Sequence, residues 1–260
     1  MKRNIYYLNS FLTLLLLLFA GTASAQTYCN SGATSQFDSK CDRVKLVGSS
    51  TTIDNNTSAN GCAQYSDFTS SVSPADISPG ANYTVEVTQG TCGGNYTRRI
   101  NVWIDFNRDG DFTDAGEMLG TGTQGNGSSG FTRQFPFTVP CSASAGNTRM
   151  RIIVVEGTAT NPCLNYTWGE TEDYTVTILS PSGGLSSNFL APDSVFVNTP
   201  GTFVNSNQTG YISHTWTIDG TTYTTTNASH IFNTVGTYDV KLVSENCLGK
   251  DSTTKQVRVV

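Results

Sequence analysis

Past residue 25 the chain carries no stretch of ten or more residues with apolar side chains at the 3.6-residue period of a helix. Short runs such as Tyr83-Thr84-Val85-Glu86-Val87 and Arg149-Met150-Arg151-Ile152-Ile153-Val154-Val155 recur instead, separated by clusters of Gly, Pro, Asn and Asp. β-branched and aromatic side chains suit a pleated, half-buried surface. Gly, Asn and Asp supply the turn conformations that other residues resist. The pattern predicts an all-β chain built from β-sandwiches.

The first 25 residues stand apart. Lys2 and Arg3 precede an apolar run from Phe11 to Ala20, interrupted once by Thr13, and Ala23-Ser24-Ala25 supplies small residues at a cleavage site. This is the layout of a signal peptide covering 1–25, with Gln26 as the first mature residue. The run is short for a membrane span. Cys29 is the fourth residue after the cut and not the first, which argues against a lipid anchor. The remaining 235 residues hold no second stretch long and apolar enough to insert in a membrane. Cleavage removes two cations and no acid, so the formal net charge moves from −5 to −7. An acidic chain argues against nucleic acid and anionic lipid as partners.

Seven Cys occur, at 29, 41, 62, 92, 141, 163 and 247, and none forms a C-x-x-C pair. In an exported protein they read as disulfides. Six precede residue 164, and six cysteines allow 15 connectivities. The preferred expectation is Cys29–Cys163, Cys41–Cys62 and Cys92–Cys141, with Cys247 left over. Composition shifts near Leu179, where Ser180-Pro181-Ser182-Gly183-Gly184 begins a run of linker character. The expected division is a module over 26–179, a linker over 180–186 and a second module over 187–260.

The most informative chemistry lies between Ile100 and Glu117. Ile100, Val102, Ile104 and Phe106 alternate as one face of a strand, which then runs into Asp105-Phe106-Asn107-Arg108-Asp109-Gly110-Asp111. Oxygen-bearing side chains at every second residue can converge on one hard cation, and the Gly lets the chain turn around it. Ca²⁺ takes six to eight oxygens at flexible spacing, whereas Mg²⁺ usually keeps more of its water. An EF-hand needs flanking helices and a Glu at loop position twelve. Here a strand leads in, Gly116 holds that position and Glu117 follows. The expected structural Ca²⁺ ligands are Asp105, Asn107, Asp109, Asp111 and Glu117. The competing interpretation is an ordinary Asp/Asn/Gly turn.

A second acidic run, Gly169-Glu170-Thr171-Glu172-Asp173-Tyr174, opens a closing strand. Here the chain resembles the GEVED domain family, named for Gly-Glu-Val-Glu-Asp-Tyr, with Thr171 in place of Val. The resemblance extends over most of residues 28–178. It takes in Tyr28-Cys29, Tyr65-Ser66-Asp67-Phe68-Thr69, the Trp103–Phe112 segment, Phe137-Thr138-Val139-Pro140 and Thr148-Arg149-Met150-Arg151. It implies an extracellular β-sandwich of secreted and cell-surface proteins of Bacteroidetes-like bacteria, often beside peptidases or adhesive repeats. The acids of the run are expected to be structural more than ligating. Residues 187–260 are similar to a divergent PKD domain, an immunoglobulin-like sandwich. They keep Trp216, Asp219-Gly220, His230, Phe232, Gly236, Tyr238, Val240 and Leu242, and lack the fuller Phe-Gly-Asp-Gly run. The resemblance implies a spacer, adhesion or substrate-proximity module, with Trp216 in the core.

Enzyme chemistry finds few parts. The two His, 214 and 230, both fall in the second module, and neither H-E-x-x-H nor G-x-S-x-G occurs. Thiols oxidised to disulfides are not available as nucleophiles, which argues against cysteine catalysis. Glu117, Glu156, Glu170, Glu172 and Asp173 leave a carboxylate pair for glycoside hydrolysis as a minor alternative. The expectation is a secreted or cell-surface, non-catalytic, calcium-stabilised protein serving adhesion, scaffolding or substrate proximity, with an extracellular polymer or surface protein as partner. The alternatives are a carbohydrate- or peptide-binding accessory module, for which Trp103 and Trp168 would offer a sugar platform although packing within the sandwich is the expected fate of each, or a fragment of a larger secreted peptidase or glycoside hydrolase.

Overall fold

A computed structural model describes residues 26–124, 130–157, 161–181, 186–207 and 212–260. The expected signal peptide lies outside the described residues, as do residues 182–185 of the expected linker. The described residues form nineteen strands and no helix.

Eleven strands build the first sandwich: β1 (Gly32–Ser35), β2 (Ser39–Val47), β3 (Thr52–Asn56), β4 (Tyr65–Asp67), β5 (Ala75–Ile77), β6 (Asn82–Thr91), β7 (Arg98–Ile104), β8 (Met118–Gln124), β9 (Phe131–Thr138), β10 (Gly146–Glu156) and β11 (Asn165–Ile178). One sheet has the order β3-β2-β6-β9 and the other β1-β11-β10-β7-β8. The long strand β11 organises the second sheet. It pairs antiparallel with β10 on one side, while β1, β4 and β5 add in parallel, one after another, along its other edge. Val44, Leu46, Val85, Val87, Ile100, Val102, Ile104, Ile152, Val154 and Tyr174 fill the space between the sheets.

The alternation in β7 predicted a single buried face. Asn101 and Trp103, on the opposite face, are buried as well. The reason is a second layer outside the sheet, where Trp103, Phe112, Ile153, Val155 and Tyr166 pack together with Tyr28 of the N-terminal segment. Trp103 is 2 % exposed and therefore no sugar platform, whereas Trp168 is 45 % exposed.

Eight strands build the second sandwich: β12 (Phe189–Leu190), β13 (Ser194–Val195), β14 (Pro200–Asn205), β15 (Ser213–Ile218), β16 (Thr221–Tyr223), β17 (Ala228–Ile231), β18 (Gly236–Asn246) and β19 (Gly249–Val259). Its sheets run β12-β14-β17 and β13-β19-β18-β15-β16. That strand arrangement, with a buried Trp on β15, is immunoglobulin-like. Trp216 is fully buried, meets Phe189 edge-on at 5.1 Å and donates its indole N–H to the Thr225 carbonyl at 3.0 Å. The two sandwiches have separate buried cores.

Three disulfides are present. Cys29–Cys163 joins the N-terminal segment to the approach of β11. The expected pairs Cys41–Cys62 and Cys92–Cys141 are replaced by Cys62–Cys92 and Cys141–Cys247. Cys41 faces the core from β2 with no exposed surface, so its thiol cannot meet Cys62 in the loop after β3. Cys247, expected to be left over, sits in the β18–β19 turn against the first sandwich. There Gly80 approaches so closely that a β-carbon on it would lie 2.9 Å from the Cys247 sulfur. The bridge Cys141–Cys247 thus ties one sandwich to the other.

Candidate metal centre

The loop from Asp105 to Glu117 connects β7 to β8 and is built in two tiers. The lower tier is buried. Asp105 is fully buried at the end of β7, and its carboxylate accepts from the backbone N–H of Arg108 at 2.6 Å and of Gly110 at 3.1 Å, and from the Tyr28 hydroxyl at 2.7 Å. Glu117, 2 % exposed, accepts from the backbone N–H of Phe106 at 2.9 Å and of Asp114 at 3.3 Å. Burial pushes the Glu117 carboxyl up to about 7, with the Asp105 charge adding to it. Two aromatic side chains anchor the loop from below, Phe106 in the inter-sheet core and Phe112 against Tyr28.

The upper tier faces solvent. The Asn107 side-chain oxygen accepts from Asp109 N–H, Asp109 accepts from Asp111 N–H, and Asp111 accepts from Thr113 N–H, each bond spanning two residues. This succession of Asx turns bends the chain into a ring. Arg108 and Gly110 both take positive φ, at 65° and 96°. Arg108 directs its guanidinium away from the ring, donating to the carbonyls of Ala145 and Asn147. Carboxylate oxygens of Asp109, Asp111 and Asp114 lie within 4.8 Å of one another, all three exposed. Among the described residues no other His, Cys, Asp and Glu side chains gather in this way. The Asn107 amide donates to both Asp109 and Asp114, which contributes to holding the Asp109 carboxyl below its usual range.

Of the five expected ligands, Asn107, Asp109 and Asp111 line this ring. Asp105 and Glu117 sit beneath it with their oxygens on backbone amides. Asp114 belongs to the cluster and was missed by the alternate-residue pattern, because it is out of step with 105, 107, 109 and 111. Three acids this close repel one another unless a cation or protons intervene.

The second acidic run occupies the centre of β11, and all six residues from Gly169 to Tyr174 are buried. Glu170 accepts from the Ser66 hydroxyl at 2.7 Å and the Cys41 N–H at 3.1 Å. Glu172 accepts from the Tyr174 hydroxyl at 2.8 Å, and its other oxygen is buried with no hydrogen-bond partner. Asp173 receives both forks of Arg151 at 2.7 Å, Arg149 at 3.2 Å and the Tyr65 hydroxyl at 3.0 Å. A bidentate guanidinium is the strong form of carboxylate recognition. These acids therefore knit β11 to β2, β4 and β10 and offer no open carboxylate pair for hydrolysis. Arg149 links the run to the loop: it reaches Asp173 and lies 4.4 Å over the ring of Tyr28, whose hydroxyl holds Asp105.

Comparison with known proteins agrees with this region. A family profile described as the GEVED domain matches residues 99–177, from β7 through the loop and β10 to the end of β11. A search of curated proteins found no match. Similar solved structures include a chimeric titin Z1Z2 carrying a peptide from decorin, 10 % identical with a TM-score of 0.36, covering 87 % of this chain and 98 % of that one. Titin Z1Z2 in complex with telethonin is 13 % identical with a TM-score of 0.24, covering 72 % and 92 %. The N-terminal domains of the bacteriophage RB49 outer capsid protein Hoc are 13 % identical with a TM-score of 0.28, covering 70 % and 55 %. At TM-scores this low the likeness carries no argument about function.

Proposed function

We propose that this is a secreted or cell-surface, non-catalytic tandem of a GEVED-type sandwich and a PKD-like sandwich, stabilised by one Ca²⁺ at the 105–117 loop and used for adhesion, scaffolding or substrate proximity. The observation that carries the calcium reading is the exposed cluster of Asp109, Asp111 and Asp114 on a ring of Asx turns. Three disulfides fit an oxidising compartment. Extracellular fluid supplies Ca²⁺ at the concentrations at which weak module sites fill. The PKD-like reading rests on the immunoglobulin-like strand order and on the core positions of Trp216 and Phe232.

Chelation with EDTA is expected to lower the melting temperature of the first sandwich, and added Ca²⁺ to restore it. For a site with Kd near the millimolar range the gain is about 1–2 kcal/mol at several millimolar Ca²⁺. Asp109→Asn and Asp114→Asn, both exposed, are expected to abolish the response while leaving the chelated melting temperature in place. Asp105→Ala is a poorer probe, because that carboxylate also caps backbone amides whatever the ring holds. A melting curve indifferent to Ca²⁺ and EDTA in the parent protein sinks the calcium reading. The second reading, a carbohydrate-binding accessory module, is favoured by the exposure of Trp168 alone. Saturable binding to one polymer on a glycan array, lost in Trp168→Ala, would establish it.

A further inference from the structure

The disulfide pattern has a covalent topology that bears on how the chain transmits tension. Cys29–Cys163 and Cys141–Cys247 interlock: each bridge has one end inside the loop that the other closes. Between the two bridges the chain therefore runs as three parallel routes. One passes from Cys29 to Cys141 and holds β1 to β9. Another passes from Cys163 to Cys247 and holds β11 to β18. The shortest, only 22 residue steps from Cys141 to Cys163, holds β10 alone.

We propose that the two interlocked bridges make this protein a low-extension mechanical link, one that carries tension between the N-terminal segment before Cys29 and the C-terminal strand after Cys247 without unravelling either sandwich. Tension entering before Cys29 crosses to Cys163, returns along β10, and crosses to Cys247. It leaves the second sandwich along β19. The limit on extension is the shortest of the three routes. At about 3.5 Å per extended residue, 22 steps give about 80 Å, against about 290 Å for the 84 steps from Cys163 to Cys247. The shortest route is also well secured. β10 is an interior strand, hydrogen-bonded along its length to β11 and over seven residues to β7. In the second sandwich, tension enters at the β18–β19 turn and exits along β19, so β12 to β18 lie off its path. This inference goes beyond the proposed function and is independent of calcium and of the ligand.

The test is single-molecule stretching of the protein over residues 26–260, with one handle before Cys29 and one after Val260, after peptide mapping of its disulfides by mass spectrometry. The oxidised protein is expected to reach a contour length of about 130 Å, from 38 covalent steps. The double variant Cys141→Ser with Cys247→Ser opens the second bridge and is expected to reach about 350 Å, roughly 2.6-fold longer. Should that variant fail to fold, full reduction of the parent supplies the comparison, with an expected contour length of about 820 Å. Cys62→Ser with Cys92→Ser is expected to leave the contour length unchanged, because that bridge lies wholly within one shielded route. Extension of the oxidised parent beyond about 300 Å, or mapped pairs other than Cys29–Cys163 and Cys141–Cys247, overturns the proposal.

Discussion

At the scale of single residues, the β11 acids show how one motif serves several physical tasks. Asp173 is fully paired, since Arg151 is buried with it and needs a partner there. Glu172, the residue before it, accepts instead from the Tyr174 hydroxyl. Burial pushes its carboxyl up to about 8, and the charge of Glu170 adds to the effect. Cys41, beside it, has its thiol pushed well above the usual range by burial and by the same two carboxylates. The raised Glu172 fixes the sign of a pH effect. Between the ordinary Glu range and about 8, the folded chain keeps a proton that the unfolded chain has lost, so stability falls as pH rises through that window. Glu172→Gln is expected to flatten that decline. At pH 8 it should melt above the parent by on the order of 5 °C, with little difference at pH 4, as thermal unfolding followed by circular dichroism would measure. Equal pH slopes in the two proteins would count against a protonated Glu172.

At the scale of elements, the motif glycine has a backbone reason. Gly169 takes φ 140°, and a β-carbon on it would overlap the Val154 carbonyl across the β10–β11 ladder. Gly169 lies after the parallel pairing of the strand with β1 and before its pairing with β4. Gly169→Ala is expected to cost about 1–3 kcal/mol, read as a lower urea midpoint for the first sandwich. A change of a few tenths would mean that the ladder yields easily. β7 teaches a related lesson. Its alternating apolar residues were legible as a strand, yet the burial of Trp103 was not, because it depends on a layer contributed by Tyr28 and Phe112, far apart in the sequence. The loop was legible in the same partial way. Asn107, Asp109 and Asp111 follow from their spacing, while Asp114 joins them only through the curvature of the Asx turns.

At the scale of the whole molecule, two separate cores joined by a disulfide imply two unfolding transitions in a single covalent frame. Trp216 fills the centre of the second core, so Trp216→Ala is expected to lower that transition by about 3–5 kcal/mol. The transition of the first sandwich should stay in place in differential scanning calorimetry. Movement of both together would show that the sandwiches unfold as one unit. The same frame gives Cys247 its role. A lone cysteine in the second module has no partner within its own sandwich, and it finds one at the end of the first.

The sequence by itself determined the all-β class, the tandem arrangement of two sandwiches, the GEVED motif and the site of the acidic loop. Each of these is written in short-range patterns: strand alternation, turn residues, and side chains two apart along one segment. Only the tertiary structure decided which cysteines meet, which acids are buried and paired, and which Trp is exposed. Those outcomes depend on distances between residues 20 to 140 positions apart, and a chain sets such distances only when its sheets pack. Cys41 is the clearest case. Its place on an inward-facing position of β2 removes it from disulfide chemistry and leaves Cys247 to join the two halves.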